Sequence, residues 1–285
     1  MARLLLLTLM AFSATSLAPT FVPTASASDR PGRLSVVFDE ENLPYSSRRE
    51  RPPGLNVDLA RLIASRLELT LDIHWVNTER EGLLSFLVDD DEGVSVQAAV
   101  GVPLEAMAVE DERLVGPEVL FSEPFASTRY VLVMPKAHAP LREFRAIGLA
   151  PVGVERAAVA SMRLWDSGFV VTGMQSQRSI LEAIVRGDID YGVLWSNAGW
   201  LIHRNERFRE ALTLSGVEPK VSGLEWDLGV AVNREHAYLL PRLNEAIAAL
   251  RSAGAFEPVF RSYHVPFFPA RRGNNGVDLE ESSKP

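Results

Sequence analysis

The stretch RSILEAIVRGDIDYGVLW, Arg178 to Trp195, changes its period half-way along. Ile180, Leu181, Ile184 and Val185 recur at helical spacing, and Gly187 supplies a C-terminal stop. From Ile189 to Trp195 the chain then reads as a strand. The same alternation extends outward. Leu34 to Phe38 is a short apolar β run, ended by Asp39-Glu40-Glu41-Asn42. Leu59, Leu62, Ile63 and Leu67 mark a helix between Asn56 and Leu67, with Asn56 or Asp58 as its cap. Leu71–Val76 and Val94–Val100 read as further strands, and Tyr130–Met134 as a buried strand stopped by Pro135. Leu228–Val232 is one more strand, before a long helix marked by Leu239, Leu243, Ala246 and Leu250 and ended by Gly254. Strand–helix–strand order of this kind specifies an α/β fold with largely parallel sheets and helices on both faces.

Composition narrows the function. The 285 residues contain no cysteine, which excludes disulfides, a thiol nucleophile and thiolate metal sites. With 37 acidic against 29 basic residues and a formal charge of −8, nucleic-acid binding through bulk positive charge is not expected. Hydrophobic residues at 47% and charged residues at 23% suit a well-cored globular protein. Residues 1–27 read as a secretory signal peptide: Arg3, the apolar run Leu4–Phe12 and the cleavage site Ala25-Ser26-Ala27. That run is too short to span a bilayer, and no later stretch approaches the necessary length. The expected location is therefore the periplasm, and the product does not span a membrane. Residues 269–285 are polar and glycine-containing and read as a disordered tail.

No motif for catalysis is present. The sequence has no HExxH helix, GxSxG elbow, P-loop or GxGxxG fingerprint. The clusters Asp89–Glu92 and Glu110–Glu112 lack the alternating order of a calcium loop and read as solvated loop faces. Neither a catalytic residue, nor a metal site, nor a cofactor is expected. Binding becomes the default function.

LSVVFDEENLPYSS (residues 34–47), GLNVDLARLIASRLEL (54–69), VLFSEPFASTRYVLVM (119–134) and RSILEAIVRGDIDYGVLW (178–195), in that order, resemble the family 3 periplasmic solute-binding proteins of ABC importers. The resemblance spans Leu34 to Val265. It implies a two-lobed, type II periplasmic-binding-protein fold with two crossover strands and a cleft between the lobes. Lobe 1 would be residues 34–132 plus 228–266, and lobe 2 residues 133–227. Glu41–Ser46, the Gly101-Val102-Pro103 turn and Tyr263–Pro266 are similar to the quinoprotein-dehydrogenase-associated branch, the MoxJ/XoxJ type. Trp195 and the run Asp227–Asn233 also fit that branch. Departures are Ser196-Asn197 where the branch commonly has Gly-Pro, Val37 and Val96 where it often has cysteines, and His264 where it has glycine.

The family's amino-acid receptors hold the ligand carboxylate with an arginine soon after the first-lobe turn, and its ammonium with an aspartate at the end of the second-lobe strand. Here no arginine follows Pro103 until Arg113, and Trp195 stands at the aspartate position. A tryptophan stacks on flat or apolar surface but does not neutralise an ammonium. The zwitterion clamp is missing. Candidate ligand-binding residues are Asp39, Tyr45, Val102, Pro103, Arg129, Glu155, Arg156, Trp195, Ser196 and Asn197. Several have structural alternatives: Trp195 as core, Tyr45 as a turn aromatic, Asp39 as a turn cap, Arg129 as a surface charge. Glu155 and Arg156 mark a strand-to-helix turn that can receive an anion, and Phe267-Phe268-Pro269 either packs down or meets a partner.

The reading that results is a non-catalytic periplasmic accessory of a quinoprotein dehydrogenase, binding a small molecule or a partner segment in its cleft. The alternatives are a receptor delivering a small polar metabolite or amino acid to an ABC permease, and a cyclohexadienyl-dehydratase-like enzyme. For the enzyme, Asp39 with Glu155 is the only acid–base pair on offer.

Overall fold

The structure is a computed structural model and describes residues 32–79, 82–88, 96–104 and 118–271. Both acidic clusters, Val94, Arg113, the signal peptide and the tail beyond Arg271 lie outside the described residues. The strands are β1 (Arg33–Asp39), β2 (Glu41–Asn42), β3 (Ser46–Ser47), β4 (Thr70–Val76), β5 (Ala98–Pro103) and β6 (Val119–Phe121). They continue with β7 (Ala126–Pro135), β8 (Val152–Glu155), β9 (Val171–Met174), β10 (Tyr191–Trp195), β11 (Leu212–Leu214) and β12 (Glu225–Asn233). The main sheet runs β4-β1-β5-β12-β7-β10-β8-β9, with β6 beside β12 and β11 beside β7.

Two lobes divide this order. In lobe 1, β1 is parallel to both β4 and β5. Its residues alternate between two cores, as the strand period of two requires. Leu34, Val36 and Phe38 pack under the helices Leu55–Arg66, Leu240–Ser252 and Phe256–Ser262, while Val37 joins Leu84, Leu87 and Val102 on the other face. In lobe 2, β8 is parallel to β10 and β9. Val131 and Val133 face the helices Gln177–Arg186, Ala198–Arg204 and Glu206–Ala211, and Leu132 faces the helix Val159–Asp166. Both half-sheets are buried on both faces, which is why their strands read as continuous apolar runs.

The crossover strands join the lobes. β7 and β12 are antiparallel through Arg129↔Glu225, Thr128↔Trp226, Ser127↔Asp227 and Ala126↔Leu228. Both start earlier than their apolar runs predict, because the crossing residues are polar and pair with each other rather than with a core. Asp227 is fully buried, and its Oδ1 accepts from the Ser127 hydroxyl at 2.7 Å and from the Arg271 backbone N–H at 2.9 Å.

The Phe267-Phe268-Pro269 segment packs down across this junction. Phe267 packs against the lobe 1 core and Phe268 against the lobe 2 core. The Ser127 N–H donates to the Phe268 carbonyl at 2.8 Å, and the Ser127 hydroxyl donates to the Pro269 carbonyl at 3.0 Å. The tail expected from Pro269 is thus tied down at its first residues.

The start of the helix Leu55–Arg66 also differs from its sequence reading. Neither Asn56 nor Asp58 caps it; Gly54 precedes it with no side-chain cap. The first N–H groups, of Leu55 and Asn56, donate instead to the Pro44 and Tyr45 carbonyls at 2.8 Å each. Asp58 accepts from the Tyr263 hydroxyl at 2.6 Å, and that hydroxyl accepts from the Gly54 N–H at 3.1 Å. The turn depends on Gly54, at φ 121°, where a Cβ would lie 2.5 Å from the Tyr45 carbonyl oxygen.

Gly54→Ala adds backbone strain and a main-chain clash, so it is expected to cost about 2–4 kcal/mol. The urea midpoint measures this, and a loss under about 1 kcal/mol would show that the turn yields. Asp227→Ala removes the acceptor shared by Ser127 and Arg271 and should cost about 2–3 kcal/mol in the same assay. An unchanged midpoint would mean that the crossover does not depend on this carboxylate.

Candidate binding cleft

The C-terminal ends of the parallel strands in each lobe face the other lobe, which is where open α/β sheets place ligands. Tyr45, in the turn between β2 and β3, reaches across. Its hydroxyl is buried against the Trp195 and Ser196 side chains of lobe 2. Desolvation pushes the hydroxyl's pKa above its usual value, and the two neighbours pull weakly the other way. The contact is close but makes no hydrogen bond of ordinary geometry, leaving a polar atom without a partner. Ser196 spends its hydroxyl on Thr128 of the crossover strand, at 2.9 Å.

Trp195 stands half-buried at the end of β10 and belongs to an aromatic group. Its ring centroid is 5.0 Å from Tyr130 in an edge-on arrangement and 5.0 Å from Trp226, with Tyr130 and Trp226 6.0 Å apart. These are the offset and edge-to-face separations that aromatic quadrupoles favour. Tyr130 and Trp226 were not among the sequence candidates. Each sits on a crossover strand, and only strand pairing brings it to Trp195. Asn197 follows, its Oδ1 buried without a protein partner.

The remaining candidates are arranged differently. Arg129 is mostly buried and meets the carboxylates of Glu218 and Glu225, with its guanidinium carbon 4.0 Å above the Phe268 ring. Its charge is balanced inside the protein. Asp39 accepts from the Glu41 N–H of its own turn at 2.7 Å and from the Thr78 hydroxyl just beyond β4, so both oxygens are engaged within lobe 1. Val102 is core, packed with Val37 and Ala231. Pro103 is half-buried and pairs with Leu228. Arg156 is exposed, and its N–H donates to Met174.

Glu155 lies beside Tyr130 and raises that tyrosine's pKa, second to desolvation. The Tyr130 hydroxyl lies near the Ala160 backbone at the start of the helix Val159–Asp166, which draws its pKa the other way. The helix N-terminus expected to receive an anion is therefore met by a side chain of the same lobe. Among the described residues no group of three or more His, Cys, Asp or Glu side chains is placed to hold a metal ion. No described helix is long and apolar enough to cross a membrane.

The sequence profile of the bacterial extracellular solute-binding proteins, family 3, matches residues 34–266. The chain belongs to this family. No curated protein matches it in sequence. Among solved structures, the periplasmic binding protein XoxJ from Methylobacterium extorquens AM1 is 19% identical, with a TM-score of 0.58 over 82% of this chain and 99% of that one. The unliganded, open L-cystine solute receptor of Neisseria gonorrhoeae is 13% identical, with a TM-score of 0.66 over 82% and 93%. MxaJ from Methlophaga aminisulfidivorans is 14% identical, with a TM-score of 0.57 over 82% and 100%. At these identities the likeness is one of fold, the type II periplasmic-binding-protein fold. It agrees with the lobe and crossover arrangement described above.

Tyr45→Phe removes the unpartnered buried hydroxyl while keeping the ring against Trp195. Stability should change by less than about 1 kcal/mol, in either direction. A melting-temperature loss equivalent to about 2 kcal/mol or more would show that the hydroxyl is bonded across the cleft.

Proposed function

We propose that this chain is an exported, non-catalytic binding protein whose interlobe cleft receives a flat or apolar surface rather than a zwitterion. Trp195 carries the reading. It occupies the strand end where the family's amino-acid receptors need a carboxylate, and its neighbours are Tyr130, Trp226 and Tyr45. A buried ammonium without a counter-charge is too costly to retain there. Asn197 Oδ1 is the acceptor that would orient a bound N–H or O–H group. The non-catalytic assignment draws support from Asp39, whose oxygens are both engaged, one by the Glu41 N–H and one by the Thr78 hydroxyl.

The finer assignment within this proposal is an accessory role beside a periplasmic quinoprotein alcohol dehydrogenase. The cleft would hold the quinone cofactor or a segment of that enzyme during maturation. The Glu41–Ser46, Gly101–Pro103 and Tyr263–Pro266 motifs support it, as does the likeness in fold to XoxJ and MxaJ. Delivery of a small metabolite to an ABC permease is the reading it competes with.

Thermal shift of the purified protein separates the two, using amino acids, small organic acids and pyrroloquinoline quinone. Co-purification with a quinoprotein dehydrogenase identified by mass spectrometry is the companion measurement. A ligand at a hundredfold excess over its Kd adds about 2.7 kcal/mol to stability, well within detection. The expected outcome is a response to the quinone or to the dehydrogenase. Tight binding of a standard amino acid would sink the proposal. Trp195→Ala is expected to weaken that binding about tenfold or more, a larger effect than its lowering of the melting temperature. Lost stability with intact binding would make Trp195 a core residue only.

A further inference from the structure

A second concavity lies away from the Tyr45–Trp195 contact and shares no lining residue with it. Its volume is about 480 Å³, and its walls come from both lobes. Lobe 2 contributes Lys136 after β7, His203 of the helix Ala198–Arg204 and Arg209 of the helix Glu206–Ala211. Lobe 1 contributes Glu257 and Arg261 of the helix Phe256–Ser262, and His264 just beyond it. In a chain of net charge −8, this groove collects three full cations and two imidazoles against one carboxylate. Glu257 accepts from Arg261 at 2.6 Å, so these two balance each other and Lys136 and Arg209 supply the excess charge. Glu206, outside the groove, is 4.0 Å from Arg209, and Arg204 is drawn aside over the Trp200 ring at 5.5 Å.

The two imidazoles face each other across the lobe boundary. Their centroids are 3.3 Å apart and their planes 17° from parallel. The backbones approach as closely: a Cβ on Gly199 would lie 2.2 Å from the His264 carbonyl oxygen. Rings stacked at that distance, with Lys136, Arg209 and Arg261 around them, do not both take up protons unless negative charge enters the groove.

We propose that this groove binds a compact multivalent oxyanion of the sulfate or phosphate kind, held by Lys136, Arg209, Arg261 and the protonated His203–His264 pair. The geometry suits such a ligand, because cationic side chains from four separate segments line one groove, with Lys136 Nζ on the Arg209 carbonyl and Arg209 Nη1 on the His203 carbonyl holding three of those segments together. The anion would also bridge the lobes. Its uptake carries proton uptake with it.

The sign follows from the histidines. His264 titrates below the usual histidine range, pushed down by desolvation first and by His203 second. Without the anion, His264 therefore binds its proton less readily in the folded protein than in the unfolded chain, and its contribution to stability falls as the pH drops below the ordinary histidine value. With the anion in place that loss is reversed, so affinity rises in acid.

Calorimetric titration of inorganic sulfate into the full-length protein tests the proposal, because sulfate keeps its charge across this pH range. Binding at about pH 6 should be at least about tenfold tighter than at about pH 8, with net proton uptake. The double variant H203Q/H264N should retain weak binding and lose the pH dependence; asparagine suits the φ of 55° at position 264. Arg209→Gln should weaken binding about tenfold at both pH values, and melting curves without sulfate would confirm that each variant is folded. No measurable heat at about pH 6, or a pH dependence that survives the double variant, would overturn it. Trp195→Ala should leave sulfate binding unchanged, so failure here and failure of the cleft reading are distinguishable.

Discussion

Four antiparallel rungs between β7 and β12 are the junction on which the rest of the molecule depends. Each lobe has its own pair of cores, and β7 and β12 carry the chain from one lobe to the other. The crossing residues are Ser127, Thr128, Arg129, Glu225, Trp226 and Asp227, polar apart from one aromatic. A ladder of this kind is held by hydrogen bonds and charge pairing rather than by apolar burial, so its energetics are directional and local. The segment from Phe267 to Arg271 adds a third layer, with one phenylalanine in each lobe's core and its backbone bonded to Ser127 and Asp227. Lobe closure, which is the working motion of such folds, must act against this strap.

The cleft lies on one side of that junction and takes its chemistry from it. Thr128 orients Ser196, and Tyr130 and Trp226 flank Trp195, so the crossover strands build the cleft wall as well as the hinge. Two of the charges near the wall are engaged internally, while Glu155 lies beside Tyr130. Arg129 is met by Glu218 and Glu225, and Asp39 by the Glu41 N–H and the Thr78 hydroxyl. Among the described residues around Trp195 there are aromatic rings and two buried polar atoms without a hydrogen-bond partner, the Tyr45 hydroxyl and Asn197 Oδ1. Such a wall favours flat or apolar occupants and sets orientation with few hydrogen bonds.

The strand–helix alternation was legible because both faces of each half-sheet are buried, which produces runs such as Leu34–Phe38 that no half-exposed strand would show. Helix ends were legible where the signal is local, as at Gly187, which follows the helix Gln177–Arg186 in a left-handed conformation. They were not legible where the partner is distant: the start of the helix Leu55–Arg66 is satisfied by Pro44, Tyr45 and Tyr263 rather than by its own Asn56 or Asp58. Val102 shows the same limit in the site. Its place beside the family's ligand turn is visible in sequence, while the direction of its side chain, into the core, is set by strand parity and by pairing with β12. Tyr130 and Trp226 were missed because nothing in either strand alone marks them as neighbours of Trp195.

The amino-acid sequence by itself determined the α/β class and the order of segments that marks the family, and it put a tryptophan, Trp195, at the end of the strand that follows Gly187. Tertiary structure alone decided which charges remain available and which contacts cross between lobes. Ion pairing and burial depend on residues some 70 to 140 positions apart in the chain, as with Thr128 and Ser196, Ser127 and Asp227, or Ser127 and Pro269. Their energies exist only once the two lobes have met.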